Sequence, residues 1–208
     1  MRRVLAIGCV AVLAFGPAGA GPAAEPLKIY AAASLTEVFR QIDPAPAYNF
    51  AGSNQLAFQI RQGAAADVFA SASPEFAQDL FEDRLVERPL TFASNKLVLA
   101  VPKSNPAGLR TVFDLARKDA KLVIGNARVP IGAYTRQVLR RLGLTGVLSK
   151  VVSNEPDVKG IIGKLALGQA DAGFVYQTDV KPVADRVIAI RLLHQRCNAQ
   201  MFGGAPGT

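Results

Sequence analysis

Short apolar runs alternate with helical segments from residue 27 to residue 190, and this alternation restricts the possible folds most. In the helical segments apolar residues recur three and four positions apart, as at Leu35, Val38, Phe39 and Ile42. Strands that alternate with helices indicate an α/β architecture with mostly parallel sheets. The predicted strands are 27–31, 48–51, 67–71, 95–102, 121–126, 150–153, 171–176 and 185–190. The predicted helices are 34–42, 54–63, 111–117, 129–144, 157–169 and one that begins with Ser73 as cap and Pro74 at its first position.

The alternation falls into two groups, at roughly 27–91 and 94–184. Two α/β lobes joined by short crossings enclose a cleft, and open α/β sheets bind ligands beyond the carboxyl ends of their strands. We therefore predict a two-lobed α/β protein with its ligand between the lobes. The predicted divisions are a first lobe at 25–92, a second lobe at 93–184, and a return crossing with an atypical tail at 185–208.

The first 24 residues have the pattern of a secretory signal peptide. Arg2 and Arg3 precede an apolar run from Val4 to Phe15, and small residues follow, so cleavage after Ala20 or Ala24 fits. A membrane anchor is the alternative, but the run is shorter than the roughly 20 residues that span a bilayer. We predict export and a periplasmic location.

Composition excludes several classes of site. The formal charge is +8, and removal of Arg2 and Arg3 leaves 22 basic and 16 acidic residues. The basic residues are scattered, which favours a solvated surface over a nucleic-acid interface. After removal of the predicted signal peptide, one cysteine, Cys197, and one histidine, His194, remain in the sequence. An internal disulfide and a Cys-rich or His-rich metal site are therefore excluded. A G-x-S-x-G motif is absent, and we predict that the chain is not an enzyme.

Several helix starts follow the carboxyl ends of predicted strands. Ser34 and Glu37 in "AAASLTE" have capping-box spacing, and Ser53 in "FAGSNQL" can begin the next helix. The turns "RVPIGAY" and "SNEPDVKG" lead into two more helices. Helix starts present unpaired N–H groups and a partial positive charge, so convergent ones can bind an anion. The alternative is that both serines are ordinary caps.

The chain resembles the periplasmic molybdate-binding proteins of ABC importers. The resemblance is carried by "IYAAASLTEVF", "FAGSNQLAFQIRQGAAADVFASAS", "NKLVLAVPKSNP", "VPIGAYTRQVL" and "DVKGIIGKLALGQADAGFVYQTD". It implies a type II periplasmic-binding-protein fold with an oxyanion held by neutral donors in the cleft. The implied donors are two hydroxyls, two backbone N–H groups and a phenol, in the order Ser34, Ser53, Ile131, Val158 and Tyr176. The family often has alanine where Ile131 stands, so the bulkier side chain alters the cleft locally.

The resemblance also implies molybdate or tungstate as ligand, a membrane permease as partner, a monomeric chain, and no cofactor or directly bound metal. A sulfate-type oxyanion is the alternative ligand. Asp157 is expected to cap its own helix, which leaves donors alone to face the anion. The segment between Ser34 and Tyr48 is shorter than in the family.

Residues 191–208 show neither the strand nor the closing helix that the family has after "RVIAI". We therefore expect an unpaired sheet edge and an uncovered apolar face in the first lobe. A truncated remnant that does not bind is the corresponding alternative.

Overall fold

The structure is a computed structural model that describes residues 25–192 and 198–204. The predicted signal peptide at 1–24, His194, Cys197 and the last four residues lie outside the described residues. In the described part no helix combines the length and the apolar character needed to cross a membrane.

The described residues form nine strands and seven α-helices, and each element predicted from the sequence is confirmed with ends shifted by a few residues. The strands are β1 Lys28–Ala32, β2 Ala47–Ala51, β3 Val68–Ser71, β4 Leu90–Pro102, β5 Leu122–Gly125, β6 Val151–Glu155, β7 Ala172–Tyr176, β8 Val187–Arg191 and β9 Asn198–Gly204. The helices are α1 Thr36–Ile42, α2 Ser53–Arg61, α3 Pro74–Glu82, α4 Asp114–Arg117, α5 Pro130–Arg141, α6 Val158–Ala166 and α7 Gln177–Val180.

The first lobe is a sheet of β2, β1 and β3 with α1, α2 and α3. The three strands are parallel, with Ala31 of β1 opposite Phe50 of β2 and Ala70 of β3. Because the three strands are parallel, their carboxyl ends lie at one edge of the sheet, and the segment that leads into each following helix starts there.

The second lobe is a sheet of β7, β5 and β6 with α4, α5 and α6. β5 is parallel to both neighbours, with Leu122 opposite Ala172 of β7 and Val151 of β6. β7 also pairs antiparallel with the second half of β4, and β8 lies along the other side of that half. The second lobe therefore presents its own row of carboxyl ends and helix starts.

The long strand β4 connects the two sheets. Residues from Leu90 to Lys96 pair with β9, and residues from Leu97 to Pro102 pair with β7 and β8. The predicted lobe boundary between residues 92 and 93 lies inside this strand. At this crossing the lobes are thus joined by continuous strand backbone.

The chain returns to the first lobe through β9, and the prediction that the tail forms no strand is wrong. β9 pairs antiparallel with β3, where Gly203 lies opposite Ala70 and Gly204 opposite Phe69. Strand pairing uses backbone N–H and C=O groups, so a segment without apolar periodicity can still pair. The predicted unpaired edge at β3 is therefore covered. The prediction that the tail forms no closing helix falls in part on the last four residues, which lie outside the described residues.

The main apolar core lies under the second lobe and the cleft, and a smaller cluster lies in the first lobe. The main core includes Leu99, Leu122, Leu139 and Phe174, which are fully buried. The smaller cluster is formed by residues of α2, β3 and α3 with their neighbours: Leu56, Ala57, Ile60, Ala66, Phe69, Ala77, Leu80 and Val86. These cores fix the two rows of strand ends that face each other across the cleft.

Candidate anion-binding site

All five residues predicted to bind the ligand line one cavity between the lobes. Ser34 and Ser53 come from the first lobe, and Ile131, Val158 and Tyr176 come from the second. Each stands at or just after the carboxyl end of a different strand. The structure thus brings together residues up to 142 positions apart, as expected for ligand sites in open α/β sheets.

The cavity is small, with a volume of about 20 Å³. That is room for roughly one or two waters, whereas clefts for organic ligands measure about 300–1,000 Å³. Gly52 marks how closely the lobes approach, because a Cβ there would lie 2.6 Å from the carbonyl oxygen of Pro156. A cleft of this size suits a compact ion.

Ser34 reaches the cavity from a 3-10 turn, not from a helix cap. The turn covers Ala33–Leu35, and α1 begins only at Thr36. The predicted capping box is therefore wrong: the cap position of α1 is Leu35, which makes no side-chain cap hydrogen bond, and the Glu37 carboxylate contacts Lys159 instead. Within the described residues the buried Ser34 Oγ has no hydrogen-bond partner. A buried hydroxyl without a partner costs free energy, so Ser34 Oγ is a candidate donor to a ligand in the cavity.

Ser53 is the first residue of α2, and Gly52 occupies the cap position assigned to Ser53 from the sequence. The buried Ser53 Oγ accepts a hydrogen bond from the Ala72 backbone N–H at 3.0 Å. That contact ties α2 to the loop after β3 and occupies one lone pair of the hydroxyl. The hydroxyl hydrogen stays available as a donor toward the cavity.

The second lobe supplies helix starts. Pro130 is the first residue of α5 and Ile131 the second, while Val158 is the first residue of α6. The N–H groups of Ile131 and Val158 have no acceptor within their own helix, and Pro130 carries no N–H. The Ile131 side chain is buried, so the larger residue is accommodated in the cleft wall.

Gly132 allows the start of α5 to press against the end of β5. A Cβ at this position would overlap the carbonyl oxygens of Gly125 and Asn126. Those atoms belong to the backbone and cannot turn aside as a side chain would. The position of the Ile131 N–H therefore depends on glycine at the next residue.

Asp157 caps α6, as predicted. Its Oδ1 accepts hydrogen bonds from the backbone N–H groups of Lys159 at 2.8 Å and Gly160 at 3.1 Å. Asp157 also lines the cavity, but this oxygen is held by its own helix. The cap fixes the first turn of α6 and thereby the direction of the Val158 N–H.

Tyr176 lines the cavity from the last position of β7. Its side chain is fully buried, and in the described part of the chain its hydroxyl has no hydrogen-bond partner. Burial raises the pKa of the Tyr176 phenol well above its ordinary value, and nearby Tyr134 and Asp179 raise the pKa further. The phenol therefore stays protonated at physiological pH and can donate a hydrogen bond to an anion.

A group of charged residues beside the cavity was not predicted from the sequence. Lys159 of α6 reaches Glu37 of α1 with Nζ–O distances of 2.8 and 2.7 Å, and Asp179 lies behind them. Glu37 and Lys159 are 122 residues apart, and no local pattern links them. Their contact follows only from the way in which the two lobes meet.

The residues that line the cavity therefore present neutral donors: hydroxyls, a phenol and helix-start N–H groups. Among the described lining residues there is no Lys, Arg or His, and Asp157 is the one carboxylate. The described residues also contain no cluster of His, Cys, Asp and Glu that could hold a metal ion. Donors of this kind can replace the hydration shell of a fully ionised oxyanion.

Comparison with protein families gives a match over most of the chain. Residues 27–200 match the family described as bacterial extracellular solute-binding protein. The chain is 37% identical to the molybdate-binding protein ModA of Mycobacterium tuberculosis over 188 residues, which cover 86% of this chain and 71% of that protein. It is 31% identical to the ModA protein of Haemophilus influenzae over 172 residues, which cover 74% of this chain and 66% of that protein.

Solved structures show the same fold. The periplasmic molybdate-binding protein of Azotobacter vinelandii superposes with a TM-score of 0.73 at 22% identity, over 88% of this chain and 86% of that one. The sulfate-binding protein SubI of Mycobacterium tuberculosis gives a TM-score of 0.71 at 11% identity, over 88% of this chain and 76% of that one. These matches confirm the predicted two-lobed α/β fold.

Proposed function

Because the chain belongs to the bacterial extracellular solute-binding proteins, we propose that it captures molybdate outside the cytoplasm and delivers it to the permease of an ABC importer. One observation carries the proposal: five predicted donors converge on one small cavity, and two of their buried hydroxyls have no partner among the described residues. A bound oxyanion would supply the acceptors that Ser34 and Tyr176 lack.

The chemistry of the donors favours an anion that carries no proton. Molybdate, tungstate and sulfate are fully ionised near neutral pH, so each of their oxygens accepts hydrogen bonds. Phosphate keeps a proton at that pH and needs an acceptor for it. Asp157 is the one carboxylate in the described cavity wall, and its Oδ1 is held by the Lys159 and Gly160 N–H groups. We therefore expect the site to discriminate against phosphate.

The proposal includes a monomeric chain that has no cofactor and performs no catalysis. Its relatives are binding proteins, and the described cavity wall holds no nucleophile paired with a base. The pairing of β9 with β3 and β4 supports a binding protein over the alternative of a truncated remnant. Export, as predicted from the first 24 residues, would place the chain where an importer collects its substrate.

Thermal melting and calorimetry with a series of oxyanions test the proposal. A ligand at about one hundred times its dissociation constant adds about 2.7 kcal/mol to the free energy of unfolding, which raises the melting temperature by several degrees. We expect that rise with molybdate and tungstate, and little with phosphate. Equal affinities for phosphate and molybdate would contradict the donor argument, and a chain that responds only to sulfate would shift the assignment to that ion.

A further inference from the structure

An ion pair between Lys159 and Glu37 crosses the cleft between the lobes. Lys159 Nζ of the second lobe lies 2.8 and 2.7 Å from the two carboxylate oxygens of Glu37 in the first lobe. Both side chains are partly buried, with 28% of Lys159 and 40% of Glu37 exposed. An ammonium that contacts both oxygens of a carboxylate is a charge-assisted contact, which is stronger than a neutral hydrogen bond.

Asp179 contacts Lys159 from within the second lobe. Its carboxylate is fully buried, and its Oδ1 lies 3.3 Å from Lys159 Nζ, at ion-pair distance but outside hydrogen-bond geometry. Its Oδ2 accepts a hydrogen bond from the Tyr176 backbone N–H at 3.3 Å. Lys159 and Asp179 both belong to the second lobe, so this contact persists when the lobes separate, whereas the contact with Glu37 requires them to be together.

Each member of the group is a near neighbour in sequence of a predicted donor. Glu37 is three residues after Ser34, Lys159 directly follows Val158, and Asp179 is three residues after Tyr176. The first turn of α6 is also held by Asp157, which accepts from the Lys159 backbone N–H. The side chain that joins the lobes thus stands on the same helical turn as a donor to the anion.

We propose that Lys159 is a positioning residue that couples closure of the two lobes to anion binding through its contact with Glu37. This inference rests on the proposed function, since it assumes that the anion occupies the cavity between the lobes. Lys159 does not line the cavity, so it acts by holding the first-lobe hydroxyls against the second-lobe donors. Loss of the contact lets the lobes part sooner, and the anion then dissociates faster.

Lys164 provides a matched control on the same helix. Its Nζ pairs with Glu155 at 2.8 Å and with Ser153 at 2.7 Å, and all three residues belong to the second lobe. Its exposure of 34% is close to that of Lys159. Lys164→Met therefore removes an ion pair of similar kind that does not cross the cleft.

The experiment measures molybdate dissociation by stopped flow in Lys159→Met, Glu37→Gln, the double variant and Lys164→Met. We expect the rate to rise about fivefold in each cleft variant, the effect of roughly one kcal/mol, and the double variant to add little. Lys164→Met should match the wild type. A rise in Lys164→Met equal to that in Lys159→Met, or independent effects of Lys159→Met and Glu37→Gln, would overturn the proposal.

Small-angle scattering without any anion separates this inference from the proposed function. We expect Lys159→Met and Glu37→Gln to increase the radius of gyration relative to Lys164→Met, because the ligand-free lobes spend more time apart. That result would support the contact even if the wild type bound another ion. An unchanged radius in both cleft variants, together with an unchanged dissociation rate, would show that Lys159 serves only its own lobe.

Discussion

The two lobes supply different kinds of donor to one cavity. The first lobe contributes two side-chain hydroxyls: Ser34 on the 3-10 turn after β1, and Ser53 at the first residue of α2 after β2. The second contributes helix-start N–H groups at Ile131 and Val158, with the Tyr176 phenol. A side chain can be removed without moving the backbone, whereas an N–H can be moved only by changing the backbone. Truncation of a side chain should therefore affect the serine donors of the first lobe, whereas only a change that moves the backbone should affect the N–H donors of the second lobe.

The lobes also differ in packing. In the first lobe α1 buries none of its residues, and Ile42 and Leu90 are 74% and 63% exposed. In the second lobe α5 and α6 bury full faces, including Leu139 and Ile161. The second lobe also exposes some apolar side chains, so the contrast in packing lies between α1 and the helices α5 and α6. Because local stability follows buried apolar contacts, we expect the first lobe to open more readily.

The largest effect is expected at Gly132, where the second lobe depends on backbone contact. Gly132→Ala places a Cβ against the carbonyl oxygens of Gly125 and Asn126, which must move apart. We expect a loss of about 3 kcal/mol or more in the free energy of unfolding, with weaker anion binding. Chemical denaturation and calorimetry measure the two quantities.

Gly163→Ala in α6 is the control for Gly132→Ala. No atom lies within 4 Å of a Cβ built there, and Gly163 is inside a helix. Alanine should therefore stabilise the chain by about 0.5–1 kcal/mol, because it restricts the unfolded chain. A Gly132→Ala variant as stable as Gly163→Ala would show that α5 can move without cost and would break the contrast between the lobes.

The next effect is on binding by the first lobe. Ser34→Ala and Ser53→Ala should each weaken anion binding by about 1.5–3 kcal/mol, the worth of a hydrogen bond to a charged group. Their stabilities should differ. Ser34 Oγ has no partner among the described residues, so its removal costs the ligand-free chain nothing. Ser53 Oγ accepts from the Ala72 N–H, and its removal should cost about 1–3 kcal/mol.

Calorimetry and melting of both serine variants decide between binding and structural roles. If neither variant loses affinity for the anion, the two serines have only structural roles and the anion binds elsewhere. Equal losses of stability in the two variants would contradict the expectation that Ser53 Oγ, which is hydrogen-bonded, matters more for stability than Ser34 Oγ.

The sequence predicted the fold well because the fold depends on local periodicity. Apolar runs bounded by turns located the strands, and Pro130 and Asp157 marked helix starts that the structure confirms. The positions of the strand ends predicted only that several helix starts would face one cleft, because parallel strands place their carboxyl ends together. The individual donors, Tyr176 among them, were implied by the resemblance to the molybdate-binding proteins.

The predictions that were wrong depended on contacts between segments that are distant in sequence. β9 lacks apolar periodicity, and its pairing with β3 follows from the path of the whole chain. The capping box at Ser34 has the right residues, but Glu37 contacts Lys159 instead. Neither partner could be identified from its neighbours in sequence.

A smaller effect concerns pH and the buried carboxyl beside the cleft. Burial raises the pKa of Asp179 to about 7, against the lowering influence of Lys159 and with a further raising influence from Glu37. The folded chain therefore binds a proton that the unfolded chain releases near pH 4. This contribution to stability is complete below about pH 4 and is lost as pH rises through about 7.

Asp179→Asn tests that contribution. Between pH 6 and pH 8 the free energy of unfolding of the wild type should fall by about 1.4 kcal/mol more than that of the variant, as follows from a folded pKa of about 7 for Asp179. Asp185→Asn, whose side chain is 74% exposed, should keep the wild-type profile. Parallel profiles for Asp179→Asn and the wild type would show that Asp179 does not titrate in this range.

The smallest effect is expected on the exposed face of the first lobe. Ile42 ends α1 with most of its side chain in solvent, so Ile42→Ala should change the free energy of unfolding by less than about 0.5 kcal/mol. Ile161 is the matched residue in the second lobe, an isoleucine of α6 that is fully buried, and its change to alanine should cost about 2–5 kcal/mol. Urea denaturation of both variants measures the difference. If Ile42→Ala proved as costly as Ile161→Ala, the face around α1 would be covered in solution, and the first lobe would be as well packed as the second.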